Sequence, residues 1–142
     1  MRPSIFVDSW GWIVLANRNE TSFSVVRDLY QREAKSGGRI ITSDFVLDEV
    51  VTFLFSRAPA PLTARYLKEL FASIDKGLVE MERVSADRFE KTWRMRLRYQ
   101  DHPGISFTDF TSFVIMQELS VTQVLTQDRH FEEVNLGFIR IP

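Results

Sequence analysis

The sequence predicts an α/β fold, a three-layer α/β/α sandwich around a central, mostly parallel five-stranded sheet. Two observations predict it. Short apolar runs rich in β-branched residues recur along the chain, and stretches with apolar residues at helical spacing separate them. Alternation of this kind favours parallel strands, because each helix carries the chain back across the sheet. Ligands of such folds bind beyond the carboxyl ends of the strands, so functional residues are expected there.

Five strands are predicted. The first is Ser4-Ile5-Phe6-Val7, an apolar run that ends at Asp8. The second is residues 39–42, directly after the helix-ending pair Gly37-Gly38. The other three cover residues 78–81, 122–126 and 137–141.

Six helical segments lie between or beside these strands. They cover residues 10–16 (a short helix or a turn), 20–35, 45–55, 63–74, 85–99 and 106–119. Three serines, Ser43, Ser85 and Ser106, stand where an N-cap is needed. Pro59 and Pro61 are expected to separate the third helix from the fourth.

Length and composition limit the classes of protein that fit. A chain of 142 residues is the size of one domain, so a single domain over residues 1–142 is expected. The absence of cysteine excludes a disulfide framework, a cysteine zinc site and a cysteine nucleophile. No apolar run is long enough for a membrane helix, and the first residues lack the features of a signal peptide. A cytoplasmic protein is expected.

Four carboxylates are predicted at one edge of the sheet. Asp8 ends the first strand, and Asp128 follows the fourth strand by two residues. Asp109 lies in the first turn of the helix that Ser106 opens, and Glu49 lies about one and a half turns into the helix after the second strand. They come from four different segments, so only folding can bring them together.

Carboxylates placed side by side repel one another and tend to take up protons. A bound divalent cation removes that repulsion, and oxygen ligands suit Mg²⁺ or Mn²⁺. Such an ion can lower the pKa of water and stabilise charge on a phosphoryl group. Structural alternatives remain open for three of the acids: Asp109 as a helix cap, Asp128 as a turn residue and Glu49 as a solvated helix carboxylate next to Asp48.

Four ordered blocks carry a resemblance to a known family. They are IFVDS (residues 5–9), TSDFVLDEVVTFL (42–54), SFTDFTSF (106–113) and LTQDRHF (125–131), the last followed by Gly137-Phe138. The chain resembles the PIN domain, and specifically the VapC-like toxin nucleases of toxin–antitoxin pairs. The four acids of that family correspond to Asp8, Glu49, Asp109 and Asp128, because the family places the glutamate of the Asp48-Glu49 pair in the site.

The resemblance implies a PIN-like fold and an endoribonuclease that hydrolyses RNA with Mg²⁺ or Mn²⁺. Asp8, Glu49, Asp109 and Asp128 would be both its catalytic residues and its metal ligands. It also implies a homodimer and a cognate antitoxin that blocks the site. A solitary PIN nuclease, or an RNA-binding PIN module with no toxin role, is the alternative.

Two other classes also place an aspartate after the first strand. A haloacid dehalogenase fold needs a second aspartate two residues later, where this chain has Trp10. A signalling receiver needs a lysine after a late strand, and no lysine follows Lys91. The four acidic blocks favour the nuclease over both.

Several further residues are candidates for supporting roles. Thr126 and Thr108 could orient a carboxylate or a water, and His130 could be a general acid, a metal ligand or a residue that packs or caps its loop. The near-neutral net charge of −1 means that RNA phosphates need a local basic patch, for which the helix face of Lys91, Arg94 and Arg98 is a hypothesis. Trp10, Trp12 and Phe53 are expected in the core or on a surface for a partner chain.

Overall fold

The structure, a computed structural model, describes residues 2–142. Met1, with which the predicted domain begins, lies outside the described residues. Within that range the elements, in chain order, are β1 (Ser4–Val7), α1 (Ser9–Leu15), α2 (Phe23–Lys35), β2 (Arg39–Ser43), α3 (Asp44–Arg57), α4 (Ala60–Asp75), β3 (Glu80–Glu82), α5 (Ala86–Arg98), α6 (Phe107–Glu118), β4 (Gln123–Leu125), α7 (His130–Glu133) and β5 (Ile139–Ile141).

The predicted α/β/α fold is confirmed, and across residues 2–142 the five-stranded sheet is parallel throughout. Its strand order is β3-β2-β1-β4-β5. Ile5 of β1 lies opposite Ile40 on one side and Gln123 on the other. The chain builds outward from β1 through β2 to β3 and then crosses to β4 on the other side. The direction of construction therefore reverses between β1 and β4, beside the central strand.

The core forms where apolar strands meet apolar helix faces. Phe6 and Val7 of β1 and Val124 of β4 are fully buried. Helix α6 is buried continuously from Asp109 to Met116, so it packs nearly all round rather than along one stripe. Nothing in residues 2–142 forms a helix long and apolar enough to span a membrane.

An aromatic cluster holds the segment after β4 against α6. The ring of Phe113 lies 4.9 Å from that of Phe131, 5.4 Å from Phe110 and 5.6 Å from Phe138, measured between centroids. Phe131 belongs to α7 and is fully buried. The loop that carries Asp128 is therefore anchored at its far end by apolar packing.

The structure corrects several predicted boundaries. Pro61 lies inside the first turn of α4 and does not precede the helix. Proline is tolerated there because the N–H that it lacks would have no intrahelical partner. Helix α2 begins at Phe23, three residues later than predicted, and β3 begins at Glu80, two residues later. Helix α7 was not predicted, because four residues are too few to show a helical period.

Gly11 sets how closely α1 approaches the sheet. A Cβ atom at this position would lie 2.8 Å from Val7 Cγ1 and 3.2 Å from Leu125 Cδ2, both on buried side chains. Only a residue without a side chain lets the helix start directly after Asp8 and pass this close over β1 and β4.

We expect Gly11→Ala to destabilise the protein by roughly 1 to 3 kcal/mol, because overpacking the core outweighs the gain in helix propensity. Urea denaturation measures this change in the free energy of unfolding. Gly104→Ala is the matched control, since the nearest atom to its Cβ would lie 3.9 Å away. Equal stabilities of the two variants would contradict the close approach.

Candidate active site

The reversal point of the sheet places two strand ends side by side. Asp8 follows β1 and Thr126 follows β4, and the backbone N–H of Asp8 donates to the carbonyl of Leu125 at 3.2 Å. At such a point the two neighbouring strands continue into segments that leave in opposite directions, so a crevice opens between them.

The crevice is an open cleft of about 470 Å³, called the acidic cleft below. All four carboxylates predicted from the sequence line it: Glu49 from α3, Asp109 from α6, Asp8 from the junction of β1 and α1, and Asp128 from the loop between β4 and α7. Its lining residues are Asp8, Ser9, Trp10, Glu49, Gly104, Ser106, Asp109, Thr126, Gln127, Asp128 and His130.

Asp8 is the most deeply buried of the four candidate acids. Its residue is 5% exposed, and the hydroxyl of Thr126 donates to its Oδ2 at 2.8 Å. Burial raises the pKa of Asp8 to about 6, against the lowering effect of hydrogen bonds from the Ser9 backbone and Thr126. The nearby charges of Glu49 and Asp128 raise it further.

Thr126 ties two of the acids together. Its Oγ1 donates to Asp8 and also accepts the backbone N–H of Asp128 at 3.0 Å. This is the contact that the predicted orienting role of the hydroxyl requires. Thr108, the other threonine considered for this role, is absent from the described lining of the acidic cleft.

Asp109 faces the cleft because another residue caps its helix. Ser106 Oγ accepts the backbone N–H of Asp109 at 3.1 Å, so the side chain of Asp109 is not needed as the cap. It is 6% exposed. Burial, followed by the charges of Asp8 and Asp128, raises the pKa of Asp109 to about 7, although a hydrogen bond with His130 acts in the opposite direction.

Asp128 lines the acidic cleft and also accepts a backbone hydrogen bond in its own loop. Its Oδ1 accepts the backbone N–H of His130 at 2.9 Å, which supports the start of α7. The same oxygen lies 3.1 Å from Nδ1 of His130, and Asp109 Oδ2 lies 3.3 Å from that nitrogen. Burial lowers the pKa of His130, but the hydrogen bond to Asp109 and the charges of Asp128 and Asp109 outweigh it, so the pKa is raised.

Glu49, and not Asp48, lines the acidic cleft. Its Oε1 accepts the hydroxyl of Ser9 at 2.8 Å. Asp48 is absent from the cleft lining and lines a neighbouring groove with Thr52 and Ser56, which Glu49 and Ser9 also border. The two acids diverge because one residue along a helix turns the side chain by about 100°.

The donor atoms fit a hard divalent cation. Among residues 2–142, those close enough to share one ion belong to Asp109, Asp128 and His130, and they lie within 4.8 Å of one another. Asp8 and Glu49 line the same cleft outside this group. Carboxylate oxygens suit Mg²⁺ or Mn²⁺, and a cation would offset the repulsion that raises the pKa of Asp8 and Asp109. These residues therefore fit such an ion.

His130 also lines the acidic cleft, where the sequence had left its packing or capping of the loop as an open alternative. The one signal was its position two residues after Asp128. Its contact with Asp109, 21 positions away, needs the folded structure.

The basic and aromatic candidates lie largely elsewhere. Lys91 pairs with Asp87 at 3.0 Å and Arg94 with Glu90 at 3.3 Å, and with Arg98 they line a separate groove beside α6. Their role in phosphate binding stays a hypothesis.

The aromatic candidates divide between the core and the surface. Trp12 is buried, and its indole N–H donates to Thr42 Oγ1 at 3.0 Å, so a surface role for it is wrong. Trp10 lines the acidic cleft and Phe53 is 38% exposed.

The raised pKa values of Asp8 and Asp109 predict that metal-free protein loses stability as the pH rises. A carboxyl with a folded pKa above its unfolded pKa binds its proton more tightly in the folded state, so folding is penalised once that proton is lost. The raised pKa of His130 acts in the same direction, since its favourable pairing is lost as it deprotonates. With EDTA present, the free energy of unfolding should fall between about pH 4 and about pH 7.

The variant Asp8→Asn should remove much of this dependence and stabilise the metal-free protein at pH 8 by roughly 2 kcal/mol. Urea denaturation at pH 4.5 and pH 8 measures it. Asp48→Asn, an exposed carboxylate outside the cleft, is the control and should leave the pH profile unchanged. A wild-type stability that rises steadily over this pH range would contradict the prediction.

Thr126 offers a second prediction. Thr126→Val leaves a buried carboxylate oxygen and the N–H of Asp128 without their partner, and we expect it to cost about 1 to 3 kcal/mol of stability. Thr126→Ser keeps the hydroxyl and should retain most of the stability. Thermal denaturation of both variants at pH 7 separates the effect of the hydroxyl from that of the methyl group. A larger loss of stability for Thr126→Ser than for Thr126→Val would contradict the role of the hydroxyl in joining Asp8 to Asp128.

Comparison with known proteins agrees with this fold. The family model described as the PIN domain matches residues 5–136. The crystal structure of VapC20 from Mycobacterium tuberculosis, a toxin that cleaves the sarcin–ricin loop, is 26% identical with a TM-score of 0.79. The similarity covers 96% of this chain and 98% of that one. Comparison with curated protein sequences gives no match.

Two more distant structures share the fold. VapBC2 from Rickettsia felis, bound to a DNA fragment from its promoter, is 15% identical with a TM-score of 0.72 and coverage of 97% of each chain. DNA-bound VapBC from Salmonella typhimurium is 15% identical with a TM-score of 0.68, covering 99% of this chain and 98% of the other. Since the family model spans most of the sequence, the chain belongs to the PIN domain family.

Proposed function

We propose that this protein is a metal-dependent endoribonuclease of the VapC toxin type, with Asp8, Glu49, Asp109 and Asp128 as its catalytic residues and metal ligands. One observation carries the proposal: four carboxylates from four separate segments of the chain line a single cleft, where burial and mutual repulsion raise the pKa of two of them. Such an arrangement is unfavourable without a cation, and perturbed acids in a cleft mark functional sites.

Two of the acids are held by side-chain hydrogen bonds, and the other two lie close to each other. Asp109 and Asp128 lie close enough together to share one cation with His130. Thr126 orients Asp8 through its Oδ2, and Ser9 orients Glu49 through its Oε1. These hydrogen bonds restrict the carboxylates before any ligand binds, which lowers the entropy that binding would otherwise cost.

Charge explains why the metal is needed for substrate binding as well as for chemistry. An RNA phosphate that enters a cleft lined by four carboxylates meets repulsion that a net charge of −1 on the whole chain does not relieve. A bound Mg²⁺ or Mn²⁺ supplies Lewis acidity at the phosphate and lowers the pKa of water. The four side chains would hold the ion. In the proposed hydrolysis the water oxygen forms a bond to phosphorus while the bond from phosphorus to one ribose oxygen breaks, and that ribose oxygen leaves as a hydroxyl with the proton that the water gives up.

The sarcin–ricin loop is the first RNA to test. VapC20, the toxin that cleaves it, shares 26% of its residues with this chain over nearly the full length of both. The identity supports a related substrate class, namely a structured loop of ribosomal RNA. The proposal places the protein in the cytoplasm, where such RNA is found.

A protein partner is also proposed, namely a cognate antitoxin, together with a homodimer of this chain. An apolar groove of about 440 Å³ supports a protein partner, and it runs between α1, α3 and α4. Phe53 and Leu62 line it and are 38% and 57% exposed. Two of the similar structures are VapBC assemblies on DNA. The single PIN domain over residues 1–142 would supply the nuclease and this groove.

The decisive experiment is an RNA cleavage assay that compares a variant of Glu49 with a variant of its neighbour Asp48. Wild-type protein with Mg²⁺ or Mn²⁺ should cleave RNA, both as total RNA and as a sarcin–ricin loop oligonucleotide, and EDTA should stop it. Glu49→Gln and Asp109→Asn should each lower the rate by a factor of about 100 or more. Asp48→Asn should keep it, because Asp48 lies outside the acidic cleft.

Cleavage that persists in EDTA or in Asp109→Asn would contradict the metal mechanism. If the wild type binds RNA but cleaves neither substrate with either metal, the RNA-binding module is the correct alternative. Cleavage of total RNA without cleavage of the oligonucleotide would keep the nuclease and reject the proposed target.

A further inference from the structure

The imidazole of His130 points into the gap between two candidate metal ligands. Its Nδ1 lies 3.1 Å from Asp128 Oδ1 and 3.3 Å from Asp109 Oδ2. Oxygen and nitrogen donors of the three residues lie within 4.8 Å of one another, which is the spread that one ion can bridge. Among residues 2–142, no other group of three or more possible donors comes together in this way.

The backbone of His130 is anchored on both sides, and the ring lies between the carboxylates and the loop before α6. Its N–H donates to Asp128 at 2.9 Å, and the next residue, Phe131, is fully buried against Phe113. On the far side of the ring, a Cβ atom at Gly104 would lie 3.9 Å from Nε2. Nδ1 therefore faces the carboxylates while Nε2 faces the loop before α6.

Without metal, Nδ1 can share one hydrogen between the two carboxylates, and a cation in the same gap would replace that hydrogen. A ring nitrogen carries at most one hydrogen, and Nδ1 lies at nearly equal distances from two carboxylate oxygens. One cation in the gap would satisfy all three donors at once. The neutral imidazole would then carry its proton on Nε2.

We propose that Nδ1 of His130 is a direct ligand of the cation held by Asp109 and Asp128, and that it makes the site select Mn²⁺ over Mg²⁺. The inference rests on the proposed function, which requires the cation but leaves its identity open. Mn²⁺ is the weakest first-row transition metal toward nitrogen, yet it accepts an imidazole ligand more readily than Mg²⁺, which favours oxygen ligands and keeps its water. Replacing one oxygen donor by nitrogen therefore shifts the preference toward Mn²⁺.

Electron spin-echo envelope modulation of the Mn²⁺-loaded protein tests the ligand directly. A bound histidine nitrogen gives a ¹⁴N coupling, and labelling with ¹⁵N-histidine should convert it to the ¹⁵N pattern. The chain has two histidines, so His102→Asn is the matched control and should keep the signal, while His130→Asn should lose it. A wild-type spectrum without nitrogen coupling, or a coupling that survives in His130→Asn, overturns the proposal.

Calorimetric titration of Mn²⁺ and Mg²⁺ at pH 7.5 tests the selectivity. We expect His130→Asn to weaken Mn²⁺ binding about tenfold or more and to change Mg²⁺ binding far less. His102→Asn should change neither. Equal losses for the two metals would overturn the claimed selectivity. Circular dichroism checks that His130→Asn folds, and the isotope experiment on the wild type needs no variant.

The same measurements separate this inference from the proposed function. If Mn²⁺ binds, and Asp109→Asn abolishes that binding, but no nitrogen coupling is present, then His130 is not a ligand and the carboxylate site stands. If neither metal binds the wild-type protein at millimolar concentration, both the inference and the metal-dependent nuclease are wrong.

Discussion

Asp8 directly follows the central strand of the sheet, in a place where burial disfavours its charge. The strand order sets this position, because β1 lies between β2 and β4 and the direction of chain building reverses beside it. The reversal opens the acidic cleft and brings the end of β4 next to Asp8. Glu49, Asp109 and Asp128 line the same cleft as Asp8, and the carboxylates repel one another because they are close together.

Small polar residues serve the fold and the cleft at the same time. Thr126 closes the turn after β4 by accepting the N–H of Asp128, and the same hydroxyl orients Asp8. Ser106 caps α6, which leaves the Asp109 side chain available to the cleft. Asp128 supports the start of α7, which places His130 beside it. Because each contact has both effects, the geometry of the cleft depends on the same hydrogen bonds that end the strands and begin the helices.

Keeping two buried carboxylates with raised pKa values lowers the stability of the metal-free protein. Proteins tolerate such a loss where function requires it, and the aromatic packing of Phe113 and Phe131 behind the cleft provides a rigid support. The proposed cation would convert the same repulsion into binding energy. With His130 as a nitrogen ligand, the site would then bind Mn²⁺ more tightly than Mg²⁺.

Much of the architecture could be predicted from local pattern. The apolar run before Asp8 identified the central strand, and serine caps identified the starts of α3, α5 and α6, because these signals need only neighbouring residues. Boundaries set by packing were harder: Pro61 fits inside the first turn of α4, and α7 is too short to show a period.

For the site as well, the sequence predicted some features and the tertiary structure decided others. Strand ends and a family resemblance singled out Asp8, Glu49, Asp109 and Asp128 from the sequence by itself. Only the tertiary structure decided that Thr126 joins Asp8 to Asp128 and that His130 lies between Asp109 and Asp128. Those contacts depend on distances between atoms far apart in the chain, which follow from sheet order and helix packing and leave no periodic trace in the order of residues.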